Sequence, residues 1–350
     1  MENDRDDINR IVTSRETDEE SVLNISLRPK NIAEFIGQEH VTQQLNISLQ
    51  AARQRGEPLE HLLLSGPPGL GKTSLAHCVA NELDANVVCT SGPAILRAGD
   101  LVGTLTNLSD GDVLFIDEIH RLSRAVEEFL YSAMEDFKID FVIDKGPFAK
   151  NIKFNLKPFT LIGATTREGL LSAPMRGRFG LSMHFDFYCP DSLAIIIERS
   201  AARLDTEINK DAALEIARRS RGTPRIANRL LRRVRDWAQV KSDGRITYET
   251  ACASLDFLKV DRTGLDDLDR RYLNILLDSY GGGPAGAEAL AASMSQEVDT
   301  LVDVIEPFLL KEGLLKRTSR GRVATHSAYT HLGRSCPQRT LELDAIADEN

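Results

Sequence analysis

Apolar and polar residues follow two different patterns along the chain, one before and one after about residue 188. In the first part, short apolar runs at 62–64, 87–90, 113–116 and 160–162 alternate with helical patterns at about 40–54, 73–82 and 124–136. Continuous apolar runs of this kind are typical of strands buried on both faces of a parallel sheet. Strands that alternate with helices therefore predict an α/β fold with a doubly wound parallel sheet.

One segment of the first part departs from this rhythm. Residues 137–143 and 151–156 alternate between apolar and polar side chains, and Lys145, Gly146 and Pro147 separate them as a turn. The pattern predicts a hairpin, 137–157, inserted before the strand at 160–162. It leaves open whether the hairpin protrudes towards a partner or packs as an edge on its own domain.

The second part of the chain is helical, with helix starts at Asp191, Asp211 and Arg225. From Asp261 onwards, three helical patterns at 267–280, 286–293 and 296–312 precede two short strands around a basic turn. Three helices and a two-stranded wing predict a winged helix, a variant of the helix-turn-helix. The expected divisions are a flexible acidic leader (1–24), a sheet domain (25–188), a helical lid (189–260), a winged helix (261–335) and a disordered tail (336–350).

Composition places the chain among ordinary globular proteins of two or three domains. It has 350 residues, of which 42% are hydrophobic and 27% charged, and no apolar run approaches the ~20 residues of a membrane span. The five cysteines are scattered without metal-ligand spacing, which is typical of reduced thiols in the cytoplasm. We therefore expect a cytoplasmic protein with no membrane partner and no cysteine-bound metal.

Charge is distributed unevenly. The net charge of −9 argues against indiscriminate nucleic-acid binding by the whole surface. Residues 311–334, however, hold six Lys or Arg and one acid. Arg317, Arg320 and Arg322 cluster on the predicted wing, where they are either a solvated hairpin tip or contacts to DNA phosphates. The arginines at 229, 232, 233 and 235 fit the solvated face of an amphipathic helix.

Residues 66–73, GPPGLGKT, follow a strand and open a helix, which is the context that the motif G-x-x-x-x-G-K-[ST] requires. The glycines allow the backbone to wrap around phosphate oxygens. Lys72 can reach the β- and γ-phosphates, and the Thr73 hydroxyl can ligate Mg²⁺. The loop therefore predicts binding of a nucleotide triphosphate with Mg²⁺.

Acidic residues follow the strand at 113–116. Asp117 and Glu118 stand at its carboxyl end, the edge of an open α/β sheet where ligands gather. Asp117 can hold Mg²⁺ through water and Glu118 can polarise an attacking water. Residues 163–167 end the next buried strand at the same edge, and Arg225 opens a helix after a Gly-Thr-Pro turn.

Six segments carry one resemblance. GPPGLGKT (66–73), FIDEIHRL (115–122), IGATTR (162–167), MRGRFG (175–180), GTPRIANRLLRRVRD (222–236) and RTSRGR (317–322) resemble the RuvB family. These are bacterial AAA+ motors that drive branch migration of Holliday junctions. The resemblance runs in unbroken order from about residue 27 to 332, and it implies a P-loop AAA+ sheet domain, a helical lid and a C-terminal winged helix.

The resemblance also implies roles for single residues. Lys72, Asp117, Glu118, Thr165 and Arg178 would serve catalysis, with Thr165 as sensor of the γ-phosphate and Arg178 as an arginine finger acting on nucleotide held by the adjacent subunit. Thr73 and Asp117 would hold Mg²⁺. ATP would be bound by Leu27, Arg28, Gly69, Gly71, Lys72, Thr73, Ser74, Glu135, Asp136, Phe137, Arg178, Tyr188 and Arg225.

Partners are implied in the same way. The family acts as a homohexamer on Holliday junctions and duplex DNA, with RuvA docked on the element that matches hairpin 137–157 and with a RuvC-type resolvase. Arg317 and Arg322 match its DNA-backbone contacts, and Arg320 lies between them. Two positions depart from the family pattern: Phe148 in the hairpin turn and Val298, where some relatives carry arginine.

Two other hypotheses compete with a DNA motor. A clamp-loader-like switch would share the ATPase but generally lacks a winged helix. A winged-helix regulator would use nucleotide only to gate DNA binding.

Overall fold

A computed structural model of the chain describes residues 26–143 and 150–337. The acidic leader at 1–24, the hairpin turn with Phe148, and the tail beyond residue 337 therefore lie outside the described residues. The chain forms two compact units, one of which spans Leu27–Tyr188 while the other begins at Cys189.

The first unit is built on five parallel strands in the order β2-β3-β6-β1-β7. They are β1 (Leu62–Ser65), β2 (Val87–Ser91), β3 (Val113–Asp117), β6 (Thr160–Thr165) and β7 (Leu181–His184). All residues of β1 and β6 are buried, as expected for central strands covered on both faces. Because the strands are parallel, their carboxyl ends meet at one edge.

Helix α1 (Glu39–Arg55) precedes the first strand, and four helices connect the strands: α2 (Lys72–Glu82), α3 (Ala98–Thr106), α4 (Arg124–Asp136) and α5 (Ala173–Arg176). Helix α1 buries Val41, Leu45, Leu49 and Ala52, which recur every three or four residues and so form one apolar stripe. The sequence pattern did not predict α3 or α5.

The inserted hairpin is a separate antiparallel sheet of β4 (Lys138–Ile143) and β5 (Lys150–Asn155). At its base, Ile139 is fully buried and Leu156 nearly so, and both join the core of the first unit around Phe159. The base therefore packs on its own unit, as one of the two alternatives proposed.

The second unit begins with four helices: α6 (Pro190–Arg203), α7 (Lys210–Arg218), α8 (Pro224–Lys241) and α9 (Tyr248–Phe257). Asn209 and Thr247 cap α7 and α9 with their side-chain oxygens, which satisfies backbone N–H groups at the helix start. The prediction of a solvated basic face on α8 is wrong for Arg232, which is 7% exposed, and Arg229, Arg233 and Arg235 are half-buried. The helix packs on more sides than its periodicity suggested.

The winged helix follows with α10 (Asp267–Asp278) and α11 (Ala287–Met294). The wing is the antiparallel pair β8 (Leu315–Thr318) and β9 (Gly321–Ala324), and α14 (His326–His331) ends the unit. Its core is a separate cluster that includes Tyr272, Leu276, Leu301 and Leu309.

The helical pattern at 296–312 is not one regular helix. It divides into α12 (Val298–Thr300), a π-helical turn (Leu301–Ile305) and α13 (Glu306–Lys311). Pro307 lies in the first turn of α13 and has no N–H to donate. The helix therefore widens before Pro307, which periodicity alone does not reveal.

Among the described residues, no helix is both long and apolar enough to cross a membrane.

Candidate nucleotide and DNA sites

The loop between β1 and α2 has the backbone of a phosphate cradle. Gly66, Gly69 and Gly71 have φ values of 132°, 80° and 99°, a region that side-chain-bearing residues rarely adopt. A Cβ atom on Gly66 would lie 2.5 Å from the Phe185 carbonyl oxygen. The loop therefore depends on glycine at this position, and its curvature fits a group of phosphate oxygens.

Lys72 begins α2 and is 7% exposed. Its ammonium group donates to the carbonyl oxygens of Gly66, at 2.7 Å, and Pro67, at 2.8 Å. The positive charge thus lies inside the loop that would surround the phosphates. Thr73 and Ser74 follow in the first turn of α2 and are half-buried.

Asp117 ends β3, which is separated from β1 only by β6. Glu118 has a left-handed backbone with a φ of 49°, and its N–H donates to Asp117 Oδ1 at 3.0 Å. Arg121 pairs with the Glu118 carboxylate at 3.1 Å. The chain therefore turns sharply after β3, between the two acidic residues.

No cluster of three or more His, Cys, Asp or Glu side chains suited to a metal ion occurs among residues 26–143 and 150–337. A Mg²⁺ ion that took ligands from Thr73, Asp117, phosphate oxygens and water would not need such a cluster.

Thr165 ends β6 and is 1% exposed. Its hydroxyl is 2.9 Å from His120 Nδ1 and accepts the Arg167 N–H at 3.0 Å. The next residue, Thr166, is partly exposed at the same sheet edge. Sequence reasoning did not single it out, although strand alternation places its side chain opposite to that of Thr165.

The two ends of the first unit lie at the phosphate loop and at the helix that follows it. Tyr188 is 7% exposed and its hydroxyl donates to the Leu70 carbonyl at 3.1 Å. Leu27 is 2% exposed. The segment that follows Arg28 lies against α2, because the Asn81 side chain donates to the Lys30 carbonyl at 2.7 Å.

Arg178 is held by residues of its own subunit. Its Nη2 pairs with Glu135 at 3.0 Å, its Nη1 donates to the Pro174 carbonyl at 2.9 Å, and its guanidinium lies 4.4 Å from the Tyr131 ring centroid. Stacking on an aromatic face fixes the plane of a guanidinium. Tyr131 was missed by sequence reasoning, although its spacing of four residues from Glu135 on a predicted helix places both on one face.

The same helix face anchors the segment that carries Arg178. The Tyr131 hydroxyl donates to the buried Glu127 carboxylate at 2.8 Å, and Ser172, which caps α5, donates to the same oxygen at 2.9 Å. Asp136 is exposed, whereas the Phe137 ring packs against Phe159 with centroids 5.7 Å apart. The Phe137 ring is therefore partly committed to the core of the first unit.

Arg225 belongs to the second unit, where it is exposed in the first turn of α8 directly after Pro224.

The predicted DNA contacts lie on the wing. Arg317 and Arg322 are cross-strand partners in β8 and β9, and both form ion pairs with Glu306. Arg320 is exposed in the turn that joins the strands. Val298 is half-buried and packs against the winged-helix core, so its side chain makes an apolar contact at this position.

Comparison with known proteins agrees with this arrangement in all three parts. Residues 27–185 match the model of the Holliday junction DNA helicase RuvB P-loop domain. Residues 188–261 match the RuvB AAA lid domain, and residues 262–333 match the RuvB C-terminal winged helix domain.

Individual relatives give the same result. The chain is 55% identical to the Holliday junction branch migration complex subunit RuvB of Kosmotoga olearia, over 93% of this chain and 94% of that protein. It is also similar to the Thermotoga maritima RuvB Holliday junction branch migration motor, with 52% identity, a TM-score of 0.82, and coverage of 89% of this chain and 100% of that one. A K-to-R mutant of the Thermotoga maritima protein gives a TM-score of 0.83, with 52% identity over 89% of this chain and 99% of that one. The chain therefore belongs to the RuvB family of AAA+ Holliday junction branch migration motors.

Proposed function

We propose that the ATPase of this branch migration motor is completed only between neighbouring subunits of a homohexameric ring. A complete phosphate loop in one unit and a winged helix in the other unit of the same chain support this proposal, because they join a source of energy to a grip on DNA. The clamp-loader-like and regulator hypotheses do not account for both features together with the family membership.

Within one subunit, Leu27, Arg28 and Tyr188 hold the base and sugar of ATP, and the loop with Gly69, Gly71, Lys72, Thr73 and Ser74 holds its phosphates. Thr73 and Asp117 bind Mg²⁺, which supplies positive charge to the phosphate oxygens. Glu118 orients and polarises the attacking water. Thr165 senses the γ-phosphate at the edge of β6, and Arg225 senses it from the lid.

Arg178 acts on the nucleotide of the adjacent subunit, with Glu135, Asp136 and Phe137 beside it. Positive charge supplied in trans stabilises the transition state of phosphoryl transfer by a factor of about 10³ to 10⁵ in rate. The Arg178 guanidinium is already held against Tyr131 and Glu135, which supports a preformed finger. Hydrolysis is thereby restricted to assembled rings.

The output of the motor is delivered to DNA by the wing. Arg317, Arg320 and Arg322 contact phosphates of duplex DNA without reading bases. Hairpin 137–157 docks on RuvA at the Holliday junction, where a RuvC-type resolvase acts later. We place this work in the cytoplasm.

The decisive experiment is branch migration of a synthetic four-way junction by the Lys72→Ala protein. We expect junction binding to persist and strand exchange to stop, because the charge that holds the phosphates is lost. Branch migration by Lys72→Ala at the wild-type rate would refute the motor proposal. The Lys241→Ala protein is the control, since Lys241 is an exposed lysine at the end of α8, outside both the phosphate loop and the wing.

A further inference from the structure

The wing presents two arginines directly opposite each other. Arg317 in β8 and Arg322 in β9 are cross-strand partners, and like charges in this arrangement repel one another. An isolated hairpin would therefore let the two side chains diverge. Something else in the unit has to hold them together.

That group is the Glu306 carboxylate, which is 0% exposed. Arg317 Nε donates to its Oε2 at 2.7 Å, and Arg317 Nη2 lies 2.5 Å from the same oxygen. Arg322 Nε donates to Oε1 at 2.9 Å and Arg322 Nη2 donates to Oε2 at 3.3 Å. One buried carboxylate thus holds both guanidinium groups.

The rest of the winged helix fixes Glu306 in place. It stands where the π-helical turn gives way to α13, directly before Pro307, and π-helical turns are frequent at functional sites. The hydroxyl of the fully buried Tyr272 in α10 donates to Glu306 Oε1 at 3.1 Å. Burial and the nearby Glu306 carboxylate raise the pKa of Tyr272, so this hydroxyl keeps its proton.

The contacts with Glu306 leave part of each arginine available. Both arginines use Nε and Nη2 for the carboxylate, and Arg317 Nη2 also donates to the Val302 carbonyl at 3.3 Å. Within the described part of the chain, no protein acceptor bonds the Nη1 group of Arg317 or Arg322. Two N–H groups held side by side suit the oxygens of one phosphate.

We propose that Glu306 is a positioning residue for DNA binding, which holds Arg317 and Arg322 together as a single phosphate-binding pair. The inference rests on the proposed DNA-contact role of the wing. It adds a buried acid to a surface whose contacts with DNA are basic.

Two arguments predict opposite effects of Glu306→Gln on the affinity for DNA, one from charge and one from the position of the arginines. The substitution removes a negative charge beside the DNA, so attraction alone would tighten binding. A glutamine amide, however, has only one acceptor oxygen and turns its NH₂ donors towards one of the arginines. If the positions of Arg317 and Arg322 matter more than the net charge, DNA binding weakens although the wing becomes more positive.

The experiment measures duplex DNA binding by the full-length protein across a series of salt concentrations. We expect Glu306→Gln to raise Kd about tenfold, the typical effect of losing a charge-assisted hydrogen bond. We also expect the slope of log Kd against the logarithm of the salt concentration to fall by about the amount that one phosphate contact contributes. Tyr272→Phe is the matched control for loss of a buried hydrogen bond to the same carboxylate: it leaves both arginine contacts, so it should raise Kd less than Glu306→Gln does. Tighter or unchanged binding by Glu306→Gln would overturn the proposal.

The same substitution in a second variant, which lacks both arginines, distinguishes a positioning role of Glu306 from simple structural support. In a protein that carries Arg317→Gln and Arg322→Gln, adding Glu306→Gln should cost no further affinity, because there is no arginine pair left to position. An equal loss in both backgrounds would show that Glu306 only supports the fold, and the proposal would fail. If Glu306→Gln does not fold, Glu306→Asp keeps the charge but shortens its reach, and wild-type affinity in that variant would equally overturn the proposal.

The test also distinguishes this inference from the proposed function. If the Arg317→Gln/Arg322→Gln protein bound duplex DNA like the wild type, the wing contacts and the role of Glu306 would fail together. The Lys72→Ala experiment would still decide independently whether ATP drives branch migration.

Discussion

Burial gives individual charged residues of this chain roles that their type alone does not reveal. Arg221 is 5% exposed, and its Nη2 lies 2.5 Å from Asp266 and 2.6 Å from Asp269. Its guanidinium also lies 5.1 Å from the Phe308 ring centroid. One arginine shared by two buried carboxylates neutralises them only in part, which favours the protonated form of a carboxyl group.

Asp269 should make the stability of the second unit depend on pH. Burial raises the pKa of Asp269 from 3.8 to about 7, against the opposing pull of Arg221. A carboxyl group whose pKa is raised by folding stabilises the folded state below its unfolded pKa, and this contribution is lost as the pH rises through the folded pKa. We therefore expect the contribution of Asp269 to the free energy of unfolding to fall between about pH 4 and pH 7.

Fluorescence of Trp237 can measure this effect. It is the single tryptophan of the chain and lies in α8, with its ring 4.9 Å from that of Phe257, so it reports unfolding of the second unit. Urea denaturation should show a smaller loss of stability over this pH range in Asp269→Asn than in the wild type. Identical pH profiles in the two proteins would contradict the assignment.

At the scale of elements, the loop between α7 and α8 connects the lid to the winged helix. Arg219 donates to the Val260 carbonyl at 2.9 Å and to Asp256 at 2.7 Å. Arg221 Nε donates to the Gly264 carbonyl at 2.9 Å. The loop then leads into α8 and Arg225, so the proposed nucleotide sensor and the winged helix are attached to one short segment.

Arg221→Met should destabilise the second unit by about 3–5 kcal/mol, because it leaves two buried carboxyl groups without their cation. The urea midpoint followed by Trp237 fluorescence is the measurement. Arg218→Ala is the control: its side chain is 56% exposed and lies 4.0 Å from Glu215, and such surface pairs contribute at most about 1 kcal/mol. Equal effects of Arg221→Met and Arg218→Ala would show that the ion pairs of Arg221 with the two buried carboxylates do not stabilise the second unit.

The hairpin can be shortened without disturbing its base. Asp140 pairs with Lys153 in the β4–β5 register, while Ile139 and Leu156 anchor the base in the core. We replace residues 141–152 by Asn-Gly, a favoured two-residue turn. This variant should hydrolyse ATP like the wild type in the absence of RuvA, but it should no longer bind RuvA. Co-sedimentation with RuvA checks the second outcome, and retained binding would place the docking surface elsewhere.

At the scale of the whole molecule, the proposed ATPase is divided between chains. Lys72→Ala and Arg178→Ala proteins should each be nearly inactive alone, because one lacks the phosphate-binding lysine and the other the finger. Mixed rings should regain ATP hydrolysis at those interfaces where an intact Lys72 faces an intact Arg178 from the other protein.

Steady-state ATP hydrolysis at constant total protein tests this expectation. The activity of the mixture should exceed the sum of the two separate proteins. A mixture of Lys72→Ala with the Lys72→Ala/Arg178→Ala double variant is the control, since no interface in it can be complete. Absence of recovery in the first mixture would argue that Arg178 acts within its own chain.

The sequence by itself determined the types of element and the phosphate loop. Both are local properties: strands and helices follow from apolar periodicity, and the loop from glycines and Lys72 within eight consecutive positions. The resemblance that runs from residue 27 to 332 determined the family for the same reason, because its motifs are contiguous strings. The sequence pattern did not predict the irregularity of the helix at 298–311, since a π-helical turn keeps nearly the same spacing of apolar residues.

Only the tertiary structure decided which charges act together. Tyr131 with Arg178, Arg221 with Asp269, and Glu306 with Arg317 are distant in sequence and meet through packing. Sequence patterns treat a charged residue as a solvated one, whereas the energy of a charge depends on its burial and partners. The arginines of the wing could therefore be predicted from the sequence, but the buried acid that holds them could not.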